Sequence, residues 1–195
     1  MEPYQPHADG AKLADFVRVF QDAIPAPLCD DLVSRFAGDV GHHQPVTAAD
    51  GSPIFTQAVL TGAAGWEHLH AAVVAHFSAV VAAYRASFTE DWLPPNHAMG
   101  WEQLRLKRYR PGTGERFPMH VDVVDHATAR RALAFFVYLN DVDEGGETLF
   151  PTLGLGIRPR LGTVLVFPPL WLFPHEARPP VSGPKHILHS YLHYR

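Results

Sequence analysis

The sequence predicts a mainly β protein, a β-sandwich or barrel buttressed by helices near its N-terminus. Three observations carry this. Long apolar patterns at helical spacing are confined to the first half. The 15 glycines and 18 prolines are denser after Pro94, and strand-length apolar runs follow one another there without helices between them. That last point disfavours a doubly wound parallel sheet, whose crossovers need helices, and no glycine-rich phosphate loop stands between a strand and a helix. A chain of 195 residues suits one domain rather than two.

The elements follow in order. Residues 16–20 read as a short strand and residues 24–27, with Pro25 and Pro27, as a turn. Leu28, Leu32, Val33 and Phe36 fall on one helical stripe that Gly38 closes. Residues 57–60 form another strand. Trp66, Leu69, Val73, Phe77, Val80 and Tyr84 mark an amphipathic helix over residues 66–84. Strands are expected at residues 103–108, 132–139, 147–150, 162–167 and 186–193. In the last of these, period two puts Lys185, Ile187, His189 and Tyr191 on one face and His186, Leu188 and Ser190 on the other.

Composition narrows the function. Apolar residues make up 47%, enough for a core, and 16 basic against 20 acidic residues leave a net charge of −4, which argues against a nucleic-acid partner. The single cysteine, Cys29, excludes an internal disulfide and suggests a reducing, cytoplasmic setting. The polar start (Met1, Glu2, Pro3, Tyr4) does not look like a signal peptide, and the uncharged run over residues 161–174 is broken by prolines, so no membrane association is expected. Thirteen histidines beside one thiol direct any metal to nitrogen and oxygen ligands.

Among these histidines the pattern His120-Val121-Asp122 stands out, because residues two apart in an extended segment share a face and can meet one ion. His175, downstream of the strand ending near Phe167, supplies a second imidazole. Two imidazoles and a carboxylate make a facial triad with three octahedral positions open, which suits non-haem Fe(II). Lys185 heads the last strand, and a buried ammonium there calls for an anion, which a dicarboxylate chelating the metal at its other end would supply.

From Trp101 to Tyr194 the chain resembles the 2-oxoglutarate- and Fe(II)-dependent dioxygenases of the prolyl 4-hydroxylase-like group. The likeness rests on Leu106-Lys107-Arg108-Tyr109 with Pro111-Gly112, His120-Val121-Asp122, Tyr138-Leu139-Asn140, and the run from Gly145-Gly146 through Thr148 to Pro151. It continues through residues 162–167, His175, Pro180-Val181 and Gly183-Pro184-Lys185. The resemblance implies a double-stranded β-helix (jelly-roll) core over about residues 96–195, supported by a helical region over about residues 1–95. It implies His120, Asp122 and His175 as iron ligands, Lys185 as the partner of the distal 2-oxoglutarate carboxylate helped by Tyr138, Tyr109 as a hydrogen-bond donor to the co-substrate, and Thr148 on a strand lining the site. The implied cofactors are Fe(II), 2-oxoglutarate and O2, with ascorbate as an accessory reductant. The implied reaction hydroxylates a C–H bond of a peptidyl residue such as proline, or of a small molecule, with release of succinate and CO2. Halogenases of this fold lack the carboxylate ligand; Asp122 favours hydroxylation.

His189, inward if Lys185 is inward, is a candidate contact to co-substrate or substrate. Arg116 could meet a substrate carboxylate or sit exposed on a loop, and Trp171 and Phe173 could wall the pocket or cap the core. His7, His42, His43, His68, His70, His76 and His126 read as loop, packing or solvated residues. The competing classes are a non-catalytic jelly-roll module that binds metal or 2-oxoglutarate, which would be free to lose one of the four residues, and a cupin-type metalloenzyme, which would not need Lys185.

Overall fold

The computed structural model describes residues 12–89, 93–94 and 96–195; residues 1–4 and His7 lie outside them. Two antiparallel sheets face each other. The larger contains β1 (Arg18–Phe20), β2 (Gln44–Thr47), β3 (Pro53–Val59), β4 (Met99–Trp101), β5 (Arg105–Tyr109), β7 (Arg131–Tyr138), β10 (Val164–Phe167) and β12 (Lys185–Tyr194). Its order is β1-β10-β7-β12-β5-β3-β2, with β4 extending the β5 edge of β12. The smaller sheet runs β6 (Phe117–His120), β11 (His175–Ala177), β8 (Thr148–Phe150), β9 (Leu155–Ile157). This is the jelly-roll arrangement expected from the sequence.

Helices α1 (Ala26–Gly38) and α2 (Glu67–Ala86) pack on the outer face of the larger sheet. Pro25 precedes α1 and Pro27 lies in its first turn, where a missing N–H is harmless; Cys29, Leu32 and Phe36 form the buried stripe. The buried stripe of α2 is Val73, Phe77, Val80, Val81 and Tyr84. Among the described residues α2 alone is long and apolar enough to cross a membrane by length and composition, yet here this stripe covers sheet residues such as Phe135 and Leu188. Alternate residues of the same strands point the other way. Leu188 and Leu192 face the helices, whereas Ile187 and Tyr191 face the second sheet, as period two requires.

The first 95 residues supply more than helices: β1 closes one edge of the larger sheet, and β3 with β2 the other. Strand β3 buries Ile54, Phe55, Thr56 and Ala58 in turn because helices cover one of its faces and the smaller sheet the other. The short strands β2, β4, β6, β9 and β11 carry no alternation in sequence, having only three or four residues each, many of them Gly, Pro or His. Gly162 ties the N-terminal segment to β7. Its φ of 73° suits glycine, and a Cβ would lie 2.3 Å from the Ile24 carbonyl oxygen. The Gly162 N–H donates to the Tyr138 carbonyl, and the Ile24 N–H donates to Gly162.

Candidate metal centre

Strands β6 and β11 pair so that His120 stands directly opposite His175, with ring centroids 4.3 Å apart. Asp122 follows two residues after His120 and is buried. Its backbone is fixed from the larger sheet: Arg131 donates from Nη1 to the Asp122 carbonyl oxygen at 2.7 Å, and its guanidinium makes two further bonds to the Glu102 carboxylate at 2.9 and 3.0 Å. Glu102 sits in the irregular stretch between β4 and β5, where its N–H donates to the Tyr191 carbonyl.

These elements bring one donor atom from each of His120, Asp122 and His175 within 4.8 Å of one another. His120 Nε2 lies 3.5 Å from Asp122 Oδ1, and His175 Nε2 lies 3.7 Å from Oδ2. Each imidazole donates its Nδ1 proton to the carbonyl two residues upstream, Pro118 at 2.8 Å and Phe173 at 3.1 Å. Both bonds leave Nε2 with its lone pair facing Asp122, the tautomer a metal needs. Burial pushes His175 down to about 4, only partly offset by Asp122, so it is neutral at pH 7. Burial would raise the Asp122 carboxyl, but the neighbouring imidazoles of His120, His175 and His189 outweigh it and hold the group below the ordinary carboxylate range. Asp122 Oδ2 and His175 Nε2 are buried without a hydrogen-bond partner. Orphaned acceptors converging from an ionised carboxylate and a neutral imidazole fit a divalent cation.

Beyond the cluster Lys185 is fully buried, and Nζ donates to the Gly146 carbonyl at 2.6 Å. The rings of Tyr109 and Tyr138 flank Nζ at 5.4 and 5.5 Å, and no ion pair meets it among the described residues. Burial pushes its ammonium down to about 7, with Glu147 opposing the shift. Such a cation is a ready receptor for a carboxylate. Tyr109 and Thr148 line the same cavity. Tyr138 lies behind Lys185 and donates its hydroxyl to Thr148 Oγ1 at 2.8 Å, so the hydroxyl of Thr148 is left to donate elsewhere.

Aromatic rings dry the site. Phe117 stacks on His120 at 3.7 Å, and Phe136, Phe150 and Phe167 surround His175 at 4.9–5.8 Å. The enclosed space is about 20 Å³, and beside it runs an open groove of about 320 Å³ lined by Phe55, Arg105, Lys107, Phe117 and Tyr191. His189 borders both spaces, with both ring nitrogens buried and unpartnered.

Other candidates fall away from the centre. Arg116 is exposed and lines a separate cleft with Asp50 and Ser52. Trp171 is 74% exposed, while Phe173 is buried in the core between the sheets. His126 is exposed in the loop after Asp122. Two features escaped the sequence reading. The Glu102–Arg131 clamp joins residues far apart and has no local signal. Lys107 had one: it stands two residues before Tyr109 on a predicted strand, and so on the same face.

Residues 104–193 match the sequence model of the 2OG-Fe(II) oxygenase superfamily. A probable prolyl 4-hydroxylase 9 of Arabidopsis thaliana is 30% identical over 95 residues, 38% of this chain and 31% of the plant protein. The alpha-1 subunit of prolyl 4-hydroxylase from Gallus gallus is 29% identical over 114 residues, 48% of this chain and 21% of the subunit. The matches thus span a third or less of these relatives. The solved viral collagen prolyl hydroxylase of Paramecium Bursaria Chlorella virus-1, in complex with 2OG, superposes with a TM-score of 0.67 at 20% identity, covering 92% of this chain and 96% of the viral one. A Trichoplax adhaerens prolyl hydroxylase, in complex with a hypoxia inducible factor peptide fragment, reaches 0.71 at 12% identity over 92% of this chain and 84% of its own. The fold is therefore the jelly roll of the prolyl hydroxylases, and in sequence the chain is similar to the prolyl 4-hydroxylase-like group of 2OG-Fe(II) oxygenases.

Proposed function

We propose that this chain is an Fe(II)- and 2-oxoglutarate-dependent dioxygenase that hydroxylates a C–H bond of a peptidyl residue, proline foremost. One observation carries the proposal: three ligand-type donors converge within 4.8 Å beside a fully buried lysine that meets no anion among the described residues. Relatives named as prolyl 4-hydroxylases and a structural neighbour bound to a peptide support the peptidyl substrate. Bound Fe(II), with 2-oxoglutarate and O2, supplies the oxidising power, coupling decarboxylation to succinate and CO2 with hydroxylation.

The residues have separable tasks. His120 and His175 offer Nε2 because their Nδ1 protons are committed to Pro118 and Phe173. Asp122 brings the negative charge, with Arg131 fixing its backbone. Lys185 receives the distal carboxylate of 2-oxoglutarate, exchanging the Gly146 carbonyl for an anionic acceptor. Twenty cubic ångströms is room for about one water, so the dicarboxylate enters as Lys185 and its neighbours move aside. Tyr109 and Thr148 are placed to donate to the co-substrate, Tyr138 acts through Thr148, and the phenylalanines keep bulk water from the reacting centre.

The test is turnover: iron-loaded protein with 2-oxoglutarate and blocked proline-containing peptides. Succinate should form together with a peptide heavier by one oxygen atom. Iron-loaded protein that forms no succinate with any peptide or small-molecule substrate would favour a non-catalytic module.

A further inference from the structure

Lys107 is a charged group at the centre of the site to which the proposed chemistry gives no task. It stands on β5 opposite Ile187 of β12, turned to the same inner face as Tyr109. It is only 7% exposed, and the rings of Phe55 and Phe117 lie 4.7 and 5.7 Å from its Nζ. No hydrogen bond or ion pair meets its ammonium among the described residues. Burial pushes it down to about 8, Arg105 and Arg131 add to the shift, and the opposing acidic group is Asp122. Asp122 faces the two imidazoles and, in the proposed function, is taken up by a cation.

The surroundings sharpen this. Arg131 has its own counter-ion in Glu102, but Arg105 bonds only the neutral amide of Gln103. His189, 4% exposed, turns two unpartnered nitrogens into the same space. Lys107 borders both the enclosed cavity and the open groove, whereas Lys185 borders the cavity alone. The groove therefore holds a deep ammonium beside a neutral imidazole, between aromatic rings, with a second uncompensated cation at its side. A buried ammonium in that position is unfavourable until an anion arrives.

We infer that Lys107, with His189, recognises a carboxylate of the substrate, so that the substrate bears an acidic group close to the C–H bond that is hydroxylated. The hydroxylation part rests on the function proposed above; the recognition part stands on the groove alone. One ammonium facing the groove matches a monoanion, and its place there separates the substrate's carboxylate from the co-substrate carboxylate held by Lys185. The carboxylate can come from an acidic side chain in a peptide or from the free carboxylate of a small amino acid, and the probes distinguish them.

Calorimetric titration of the full chain, both metal-free and anaerobically loaded with Fe(II) and 2-oxoglutarate, would use two pairs of probes. The first is a blocked pentapeptide with proline flanked by glutamate, against its glutamine twin. The second is free L-proline against L-prolinamide. One acidic member should bind on the order of tenfold tighter than its neutral twin, as expected for a desolvated charge pair, and the pair that discriminates identifies the source. Lys107→Met should erase the preference and melt at a higher temperature than the wild type, Lys107→Gln should erase it too, and Lys107→Arg should retain it. Equal binding within both pairs, no binding of either acidic probe, or a preference that survives Lys107→Met and Lys107→Gln would overturn the inference. An intact preference in iron-loaded protein that gives no 2-oxoglutarate charge-transfer absorption would instead remove the dioxygenase reading and leave the anion site standing.

Discussion

In the proposed function Asp122 and Lys185 divide the chemistry of the site between a cation and an anion, and each can be removed separately. Lys185→Ala takes away a buried ammonium without touching a candidate metal ligand. It should raise the 2-oxoglutarate concentration needed for half-saturation by about tenfold to a hundredfold, on the scale of a lost buried charge-assisted bond, while iron affinity stays at the wild-type value. Steady-state kinetics with a parallel iron titration would check both. Much of the candidate site's geometry was legible at this scale. His120 and Asp122 are two apart in an extended segment, and period two carried Lys185 to His189 on one face. The engagement of Tyr138 with Thr148 was not legible, because it depends on how Tyr138 of the larger sheet and Thr148 of the smaller one meet across the space between the sheets.

Among the elements, the irregular link between β4 and β5 matters more than its length suggests. It carries Glu102, which holds Arg131, which holds the carbonyl of Asp122. Arg131→Gln should therefore weaken iron affinity by about 10–100-fold, the range for partners that orient metal ligands, and an iron titration would measure it. A purely structural role for Arg131 would lower the melting temperature and leave that affinity unchanged. Gly162→Ala tests the junction of the N-terminal segment with β7. With a positive φ and a backbone oxygen 2.3 Å from the added Cβ, it should cost about 2 kcal/mol or more, read from urea unfolding. The long elements announced themselves: α2 by its apolar stripe, β7 and β12 by length and composition. Strands β6 and β11 did not, although they carry both candidate histidine ligands, because three or four residues leave no periodicity to read and only pairing, β6 with β11 and β11 with β8, defines them.

Across the whole molecule, buried basic groups set how stability varies with pH. His175 and His186 are pushed by burial to about 4 from an ordinary 6.5, and Lys185 and Lys107 to about 7 and about 8 from 10.5. In each window the unfolded chain binds more protons than the folded one, so stability increases as pH rises. It is lost progressively as pH falls from 6.5 towards 4 for the histidines, and from 10.5 towards 7–8 for the lysines. Each group contributes a slope of about 1.4 kcal/mol per pH unit within its window. The melting temperature of metal-free protein should thus climb between about pH 5 and pH 9, the range these windows cover, and His186→Phe should flatten its acidic part. A flat profile would mean that these groups are solvated. Saturating 2-oxoglutarate should flatten the alkaline part, because a bound carboxylate restores the charge of Lys185.

The most direct test of the central claim is optical. Under anaerobic conditions, 2-oxoglutarate added to the Fe(II)-loaded chain should produce a metal-to-ligand charge-transfer absorption. Asp122→Ala, which loses the carboxylate ligand and with it the iron, should not give it. Iron that is demonstrably bound by the wild-type chain, with no such absorption at any 2-oxoglutarate concentration, would contradict the account.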